Sequence, residues 1–360
     1  MLRIGFARLW VPRVQTMTNT VLPTTLVGSY PQPGWLVDKE ILLGSQPARV
    51  RMEKVWRMRG AQLEEAQQDA ARLAVADMER AGVDILTDGE VGRESYFNLF
   101  ATGLDGIDLD NPGSAVNRRG KTSVVPRVTG PIEWRMSPLA PAAAFLRSLT
   151  TRPIKVTIPG PFTLAVLAQD DHYGDIEALA LGYARAVNRE LRELKAVGVD
   201  VLQLDEPYLQ ARPEDGRKFG LKAINAALEG IAGPTALHMC FGYAYVVKDK
   251  PDGYSFLEEL EDCMVQQISI EAAQPRLDVS ILKKLPSKSI MVGVIDLGSQ
   301  EVETPEVVAG RIRAALKHMA PERLIVAPDC GMKYLPRDVA FGKLEAMCRG
   351  AEIVRRELVG

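Results

Sequence analysis

The feature that most constrains this chain is an alternation. Eight short apolar runs rich in β-formers each end in small, polar or charged residues, and stretches with helical apolar spacing separate most of them. The runs are Thr25–Ser29, Val83–Glu90, Ile154–Pro159, Val199–Glu206, Thr235–Cys240, Gln267–Glu271, Ile290–Asp296 and Leu324–Cys330. Helical patterns occupy Ala61–Ala81, Ile176–Ala196, Phe219–Glu229, Thr304–His318 and Val339–Leu358. Strands that alternate with helices pair in parallel, because a parallel neighbour needs a crossover connection and a helix supplies it. Eight such units predict an α/β protein with a single (β/α)8 TIM barrel, and 360 residues suit one barrel with additions. The stretch Phe97–Arg135 breaks the rhythm with Asn111-Pro112-Gly113 and the basic Asn117–Lys121, so an inserted loop, hairpin or lid is expected after the second strand.

In such a barrel the chemistry collects where the strands end. Here those ends carry Ser29, Glu90, Asp205, His238 with Cys240, Glu271, Asp296 and Cys330. Along a strand, alternate residues share a face, so His238 and Cys240 point one way and Met239 the other. One imidazole with the thiols of Cys240 and Cys330 suits a borderline ion such as zinc. By itself a His-x-Cys pair more often reflects a packed cysteine; convergence of polar strand ends turns it into a candidate centre. Cys263 and Cys348 read instead as packed helix cysteines. His172 and His318 fall at a loop and a helix end, where His318 would favour the helix dipole.

The 44 basic and 46 acidic residues leave a formal charge of −2, which provides no field for nucleic acid. No apolar run approaches the roughly 20 residues of a membrane span, and the first residues lack an apolar signal core. Four dispersed cysteines do not form a secreted disulfide framework, so a reducing cytoplasm is expected. Residues 1–22, with Arg3, Arg8 and Arg13, read as a flexible N-terminal extension, and residues 23–360 as the catalytic barrel.

Seven ordered motifs carry a resemblance. They are Thr24–Pro31, Asp88-Gly89-Glu90, Gly160–Leu164, Asp205-Glu206-Pro207, His238-Met239-Cys240, Ser269-Ile270-Glu271 and Pro328–Gly331. Together they resemble the catalytic barrel of the cobalamin-independent methionine synthases. The resemblance implies a barrel that holds Zn2+ through His238, Cys240, Glu271 and Cys330, where a substrate thiol is bound as thiolate and alkylated. It also implies that Ser29, Glu90 and Asp205 hold homocysteine by its carboxylate and ammonium groups. The residue types suit this: cysteinate ligands keep the centre electron-rich, and carboxylates attract an ammonium. Asp296 has no counterpart role.

The departures fall on the donor side. Ala165-Val166-Leu167-Ala168 stand where the family places a pterin-contacting tryptophan, and Tyr208–Ala211 where it places a further acid. Phe241-Gly242-Tyr243, with Tyr245 beyond, replaces the family's usual loop after the metal motif. The expected partners are therefore a small thiol and an alkyl donor, which could be a folate, a corrinoid protein or a small electrophile. A related reading is an epoxyalkane:coenzyme M transferase, with coenzyme M as the thiol. A non-catalytic zinc or thiol-binding barrel is a third, and the porphyrinogen decarboxylases share the broad fold without needing the His-x-Cys set.

Overall fold

Parallel pairing is realised over six strands of the computed structural model, which describes residues 20–44, 47–117, 120–243, 247 and 250–360. In order across the sheet these are β3 (Lys155–Pro159), β5 (Val201–Asp205), β6 (Thr235–Met239), β7 (Gln267–Ile270), β8 (Ser289–Ile295) and β9 (Leu324–Pro328). The two N-terminal runs enter as single parallel bridges: Thr24 with Val326 of β9, Thr25 with Ile85, and Leu86 with Ile154 just before β3. Backbone hydrogen bonds accompany them, from Val326 N to the Pro23 carbonyl (2.8 Å) and from Leu86 N to the Pro153 carbonyl (2.9 Å). Proline accepts through its carbonyl but cannot donate, so a ladder is cut short where it stands. Val27, Ile85, Val201, Ala236, Met291, Ile325 and Ala327, drawn from six of the eight runs, meet in one buried cluster. Beside them the buried Lys155 Nζ donates to the Leu26 carbonyl and lies 3.7 Å from Met291 Sδ.

A larger core lies between the sheet and the helices. The helix Ile176–Ala196 shows how sequence dictates this packing. Leu179, Tyr183, Val187, Leu191 and Leu194 recur every three or four residues and are all buried, each contributing about 1.5–3 kcal/mol of burial. Asp175 caps its start through Glu177 N (3.2 Å), and Gly198, at φ +91°, turns the chain out beyond its end. Helices Gly60–Ala81, Pro305–Leu316 and Arg337–Val359 fall where helical spacing predicts them, within two residues at each end. The segment Phe219–Glu229 is helical over Leu221–Leu228, behind a π turn at Gly216–Gly220.

The irregular stretch contains an antiparallel pair, β1 (Asp105–Val116) with β2 (Thr122–Glu133). A short strand β4 (Gln169–Asp170) lies beside β2 and ties the pair to the segment that follows β3. Arg118 and Arg119 lie outside the described residues, as do residues 1–19 of the expected extension. Of the remainder of that extension, Leu22 is fully buried, and the Val21 and Leu22 carbonyls accept from Arg355 at 3.0 and 2.9 Å. Among the described residues no helix is long and apolar enough to cross a membrane.

Asp84 joins the two N-terminal runs to the last helix. Its Oδ2 accepts from Thr24 N and Thr24 Oγ1, both at 2.8 Å, and pairs with Arg355. Removal of that carboxylate leaves two donors and a guanidinium without their acceptor. Asp84→Ala is expected to lower unfolding stability by about 3 kcal/mol in urea titrations, with an unchanged m-value.

Candidate metal centre and its cavity

Parallel register brings the sequence-distant ligands together. Asp205 pairs with His238 across β5 and β6, and His238 with Ser269 across β6 and β7. His238, Cys240 and Cys330 are all buried and offer ligand atoms within 4.8 Å of one another. Ser269 Oγ lies 2.9 Å from His238 Nδ1, which leaves the other ring nitrogen, Nε2, as a buried atom with no conventional hydrogen-bond partner. Both cysteines are free of disulfides. Burial works to lower the imidazole's pKa, but the neighbouring Cys240 thiol and the Asp205 and Glu271 carboxylates hold it above the ordinary histidine range. The Cys330 thiol is pushed up by Cys240 and by burial. An oriented imidazole beside two thiols that disfavour each other's ionisation is a donor set that a thiophilic cation would relieve, and it fits zinc.

Asp329 sets the loop next to this group. Its Oδ1 accepts from Ala272 N and Ala273 N (2.9 Å each) and its Oδ2 from Gln274 N (2.6 Å), so the chain leaving β7 is bound to the residue before Cys330. Gly293 makes room for it, because a Cβ there would lie 2.1 Å from Asp329 Oδ1.

Glu271 is fully buried but stands apart from the three-residue group. Its Oε1 accepts from Phe241 N (2.9 Å), and its Oε2 is ion-paired with Lys250. Burial pushes this carboxyl up to about 8, against the pull of Lys250.

The three expected substrate contacts share one cavity with the metal-ligand candidates. Ser29, Glu90, Asp205, His238, Cys240 and Cys330 all line it. Glu90 takes φ +51° after Gly89 at +64°, a turn fixed by Asp88 Oδ1, which accepts from Glu90 N (2.9 Å). Thr157 Oγ1 donates to Glu90 Oε1 (2.9 Å), while Oε2 is buried without a partner. Gly28 is required opposite, since its Cβ would fall 2.3 Å from Glu90 Oε1. Gln203 Nε2 donates to Asp205 Oδ1 (2.8 Å), and burial pushes that carboxyl up to about 7.

Other expected residues lie elsewhere. Asp296 accepts from Gly298 N (2.7 Å) in its own turn. Cys348 packs in the last helix against Thr24, whereas Cys263 follows a 3-10 turn rather than sitting in a helix, 3.4 Å from Asn225 Oδ1. His172 is exposed and His318 half-buried, and neither joins the group. Tyr243 lines the cavity, and Tyr245 lies outside the described residues. Sequence reasoning missed Lys250 and the roles of Ser269 and Asp329. The last two belong to motifs already singled out; Lys250 has no local signal.

Fold and site together define an α/β protein with a buried His–Cys–Cys group at the ends of its parallel strands. The family described as cobalamin-independent synthase, catalytic domain, matches residues 22–353. The methionine synthase of Saccharolobus solfataricus is 34% identical over 345 residues, 94% of this chain and 96% of the relative. That of Thermococcus kodakarensis is 34% identical over 348 residues, 95% and 96%. Among solved structures, a B12-independent methionine synthase from Shewanella sp. W3-18-1, in complex with selenomethionine, is similar at TM-score 0.87 and 34% identity, covering 94% of this chain and 99% of that one. The chain belongs to the cobalamin-independent methionine synthase catalytic-domain family.

Ser269 orients the His238 ring, and loss of such a partner typically costs 10- to 100-fold in metal affinity. Ser269→Ala is therefore expected to release zinc about tenfold more readily in chelator competition.

Proposed function

We propose that this protein transfers a methyl group to the thiol of homocysteine, acting as a zinc-dependent methionine synthase. The eight runs would form a closed (β/α)8 barrel spanning residues 23–360, with the antiparallel pair inserted after the second strand. The observation that carries the reading is the shared cavity: a His and two Cys at buried strand ends, faced by Glu90 and Asp205. His238, Cys240 and Cys330 would hold the metal. When bound, zinc stabilises a thiol as its thiolate, and ligands of this softness leave the sulfur nucleophilic.

The chain's own residues supply recognition. Glu90 and Asp205 present carboxylates to an ammonium, and Oε2 of Glu90 makes no hydrogen bond among the described residues. Ser29, on the same wall, offers a hydroxyl to the carboxylate end of the amino acid. Two acids facing the cavity favour an ammonium-bearing thiol over the sulfonate of coenzyme M, since a buried like-charge contact is unfavourable. The relatives, methionine synthases, point the same way.

Purified protein is expected to hold about one zinc per chain, to lose it in Cys330→Ser, and to form methionine from homocysteine with a suitable methyl donor. Wild-type protein that binds no zinc under conditions where it is folded would sink the reading. Asp205→Asn and Glu90→Gln are each expected to weaken homocysteine about tenfold while leaving 4-mercaptobutyrate, which lacks the amino group, nearly unchanged. Calorimetric titration of the two thiols checks this.

A further inference from the structure

Arg93 and Thr157 are buried polar residues beside the cavity that the proposed reaction does not use. Arg93 Nη1 donates to the Thr157 carbonyl (2.8 Å) and to Thr157 Oγ1 (3.3 Å), and its Nη2 pairs with Asp88 Oδ2 (3.1 Å). Thr157 Oγ1 in turn donates to Glu90 Oε1 (2.9 Å). Glu90 lines the cavity, whereas Arg93 and Thr157 are not among the described residues of its wall.

Hydrogen-bond chemistry gives this series a direction. A guanidinium has donors and no acceptor, and a hydroxyl carries a single proton. Facing Arg93, Thr157 Oγ1 accepts, so its proton is committed to Glu90. The methyl group of Thr157 faces Gly28, where a Cβ would lie 3.1 Å from Thr157 Cγ2, and a β-branched side chain on a strand has little freedom to turn. The hydroxyl therefore stays on the side of Glu90.

Arg93 is itself fixed. Asp88, which holds its Nη2, also accepts from Glu90 N (2.9 Å), and the Arg93 carbonyl accepts from Lys333 Nζ (2.8 Å) and Gln32 Nε2 (3.1 Å). The turn that carries Glu90 is thus closed through Asp88 and Arg93. Register extends the pattern: Thr157 pairs with Gln203 across β3 and β5, and Gln203 Nε2 donates to Asp205 Oδ1 (2.8 Å). Two paired ladder positions each supply a donor to one of the two cavity acids.

The relay differs from a direct ion pair in what it leaves over. A guanidinium that met Glu90 head on could take both carboxylate oxygens in a bidentate pair. With a hydroxyl between them, one oxygen is taken, and Oε2 makes no hydrogen bond among the described residues. We propose that Thr157, with Arg93 behind it, is a positioning residue that engages one oxygen of Glu90 and so presents the other to the ammonium group of the substrate. The inference rests on the reading of Glu90 as an ammonium contact and adds the group that orients it.

The test compares zinc-loaded wild type with Thr157→Val, Thr157→Ser, Glu90→Gln and the Thr157→Val/Glu90→Gln double variant. Calorimetry reads the affinity for homocysteine and for 4-mercaptobutyrate, and chelator competition reads zinc. Valine keeps the branched shape and removes the donor, so homocysteine is expected to bind about tenfold more weakly, with 4-mercaptobutyrate and zinc unchanged. Thr157→Ser should stay near wild type, and the double variant should match Glu90→Gln alone. Unchanged homocysteine affinity in Thr157→Val overturns the inference, as do equal losses for both thiols, which mark a general disturbance of the cavity, or losses that add in the double variant. Should Thr157→Val fail to fold, Thr157→Ala carries the same comparison. Full homocysteine affinity in Glu90→Gln rejects the ammonium reading itself, whereas a loss there with none in Thr157→Val rejects the role of Thr157 alone.

Discussion

The register of the parallel ladder from β5 to β7 is the constraint on which the rest of the site depends. It sets Asp205 beside His238 and His238 beside Ser269, and it carries Glu271 to the position just past the end of β7. Parallel strands end on one side of the sheet, so groups scattered over a long sequence reach the same place without any loop having to fold back. A slip of one residue would turn every one of these side chains to the opposite face. The hydrogen bonds from Ala272, Ala273 and Gln274 to Asp329 then fix β7's exit against β9, next to Cys330. Imidazole, thiols and carboxylates are therefore positioned by backbone pairing, and their side chains need little freedom of their own.

Burying so many acids has a cost, and the way it is met separates structural carboxylates from binding ones. Glu206 accepts from Phe162 N (2.9 Å), Thr163 N (2.8 Å) and Thr163 Oγ1 (2.6 Å). Even so, burial pushes it up to about 8. Every oxygen of Glu206 is used within the protein, and Gly160 leaves it space, because a Cβ there would lie 2.1 Å from Oε1. Glu90 is equally buried yet keeps one oxygen without a partner, at the wall of the cavity. Asp205 also faces that cavity, with Gln203 on one oxygen. Lys155 is buried beside Leu26 and Met291, where burial brings its ammonium down to about 7 despite the pull of Asp205 and Glu90. In the proposed reading, the unsatisfied acid, rather than the most buried one, is where a cationic group would be received.

Much of this was legible in the sequence, for a physical reason. Helical and strand periods are written in apolar spacing, so the long helices and the six paired strands fell within a few residues of expectation. The two N-terminal runs shrank to bridges, with Pro23 and Pro153 interrupting donation. The cavity residues Ser29, Glu90 and Asp205, like His238, Cys240 and Cys330, were visible because they terminate periodic segments. Lys250 was not. It lies in a stretch without period, 21 residues from its partner, and only the folded chain brings the two together. Glu271 could be recognised as a strand-end acid, but its engagement by Lys250 and Phe241 depends on how the intervening loop returns.

The same distinction divides the two halves of the proposed reaction. The acceptor side is built from strand ends, which pairing holds in place. On the donor side, the segment that would have to present an aromatic surface instead turns inward: Ala165, Val166 and Leu167 are all buried in the core, on or just after a helix that starts at Pro161. Stacking for a planar donor would have to come from elsewhere, and the aromatic side chains that do line the cavity, Tyr96 and Tyr243, belong to connecting segments. Connecting segments tolerate exchange and insertion far better than paired strands do. A parallel sheet organised in this way would keep the proposed thiol site fixed while its loops are refitted to a different source of the alkyl group. In this chain the strand-end residues keep the family's pattern, while the segments that would meet the donor depart from it.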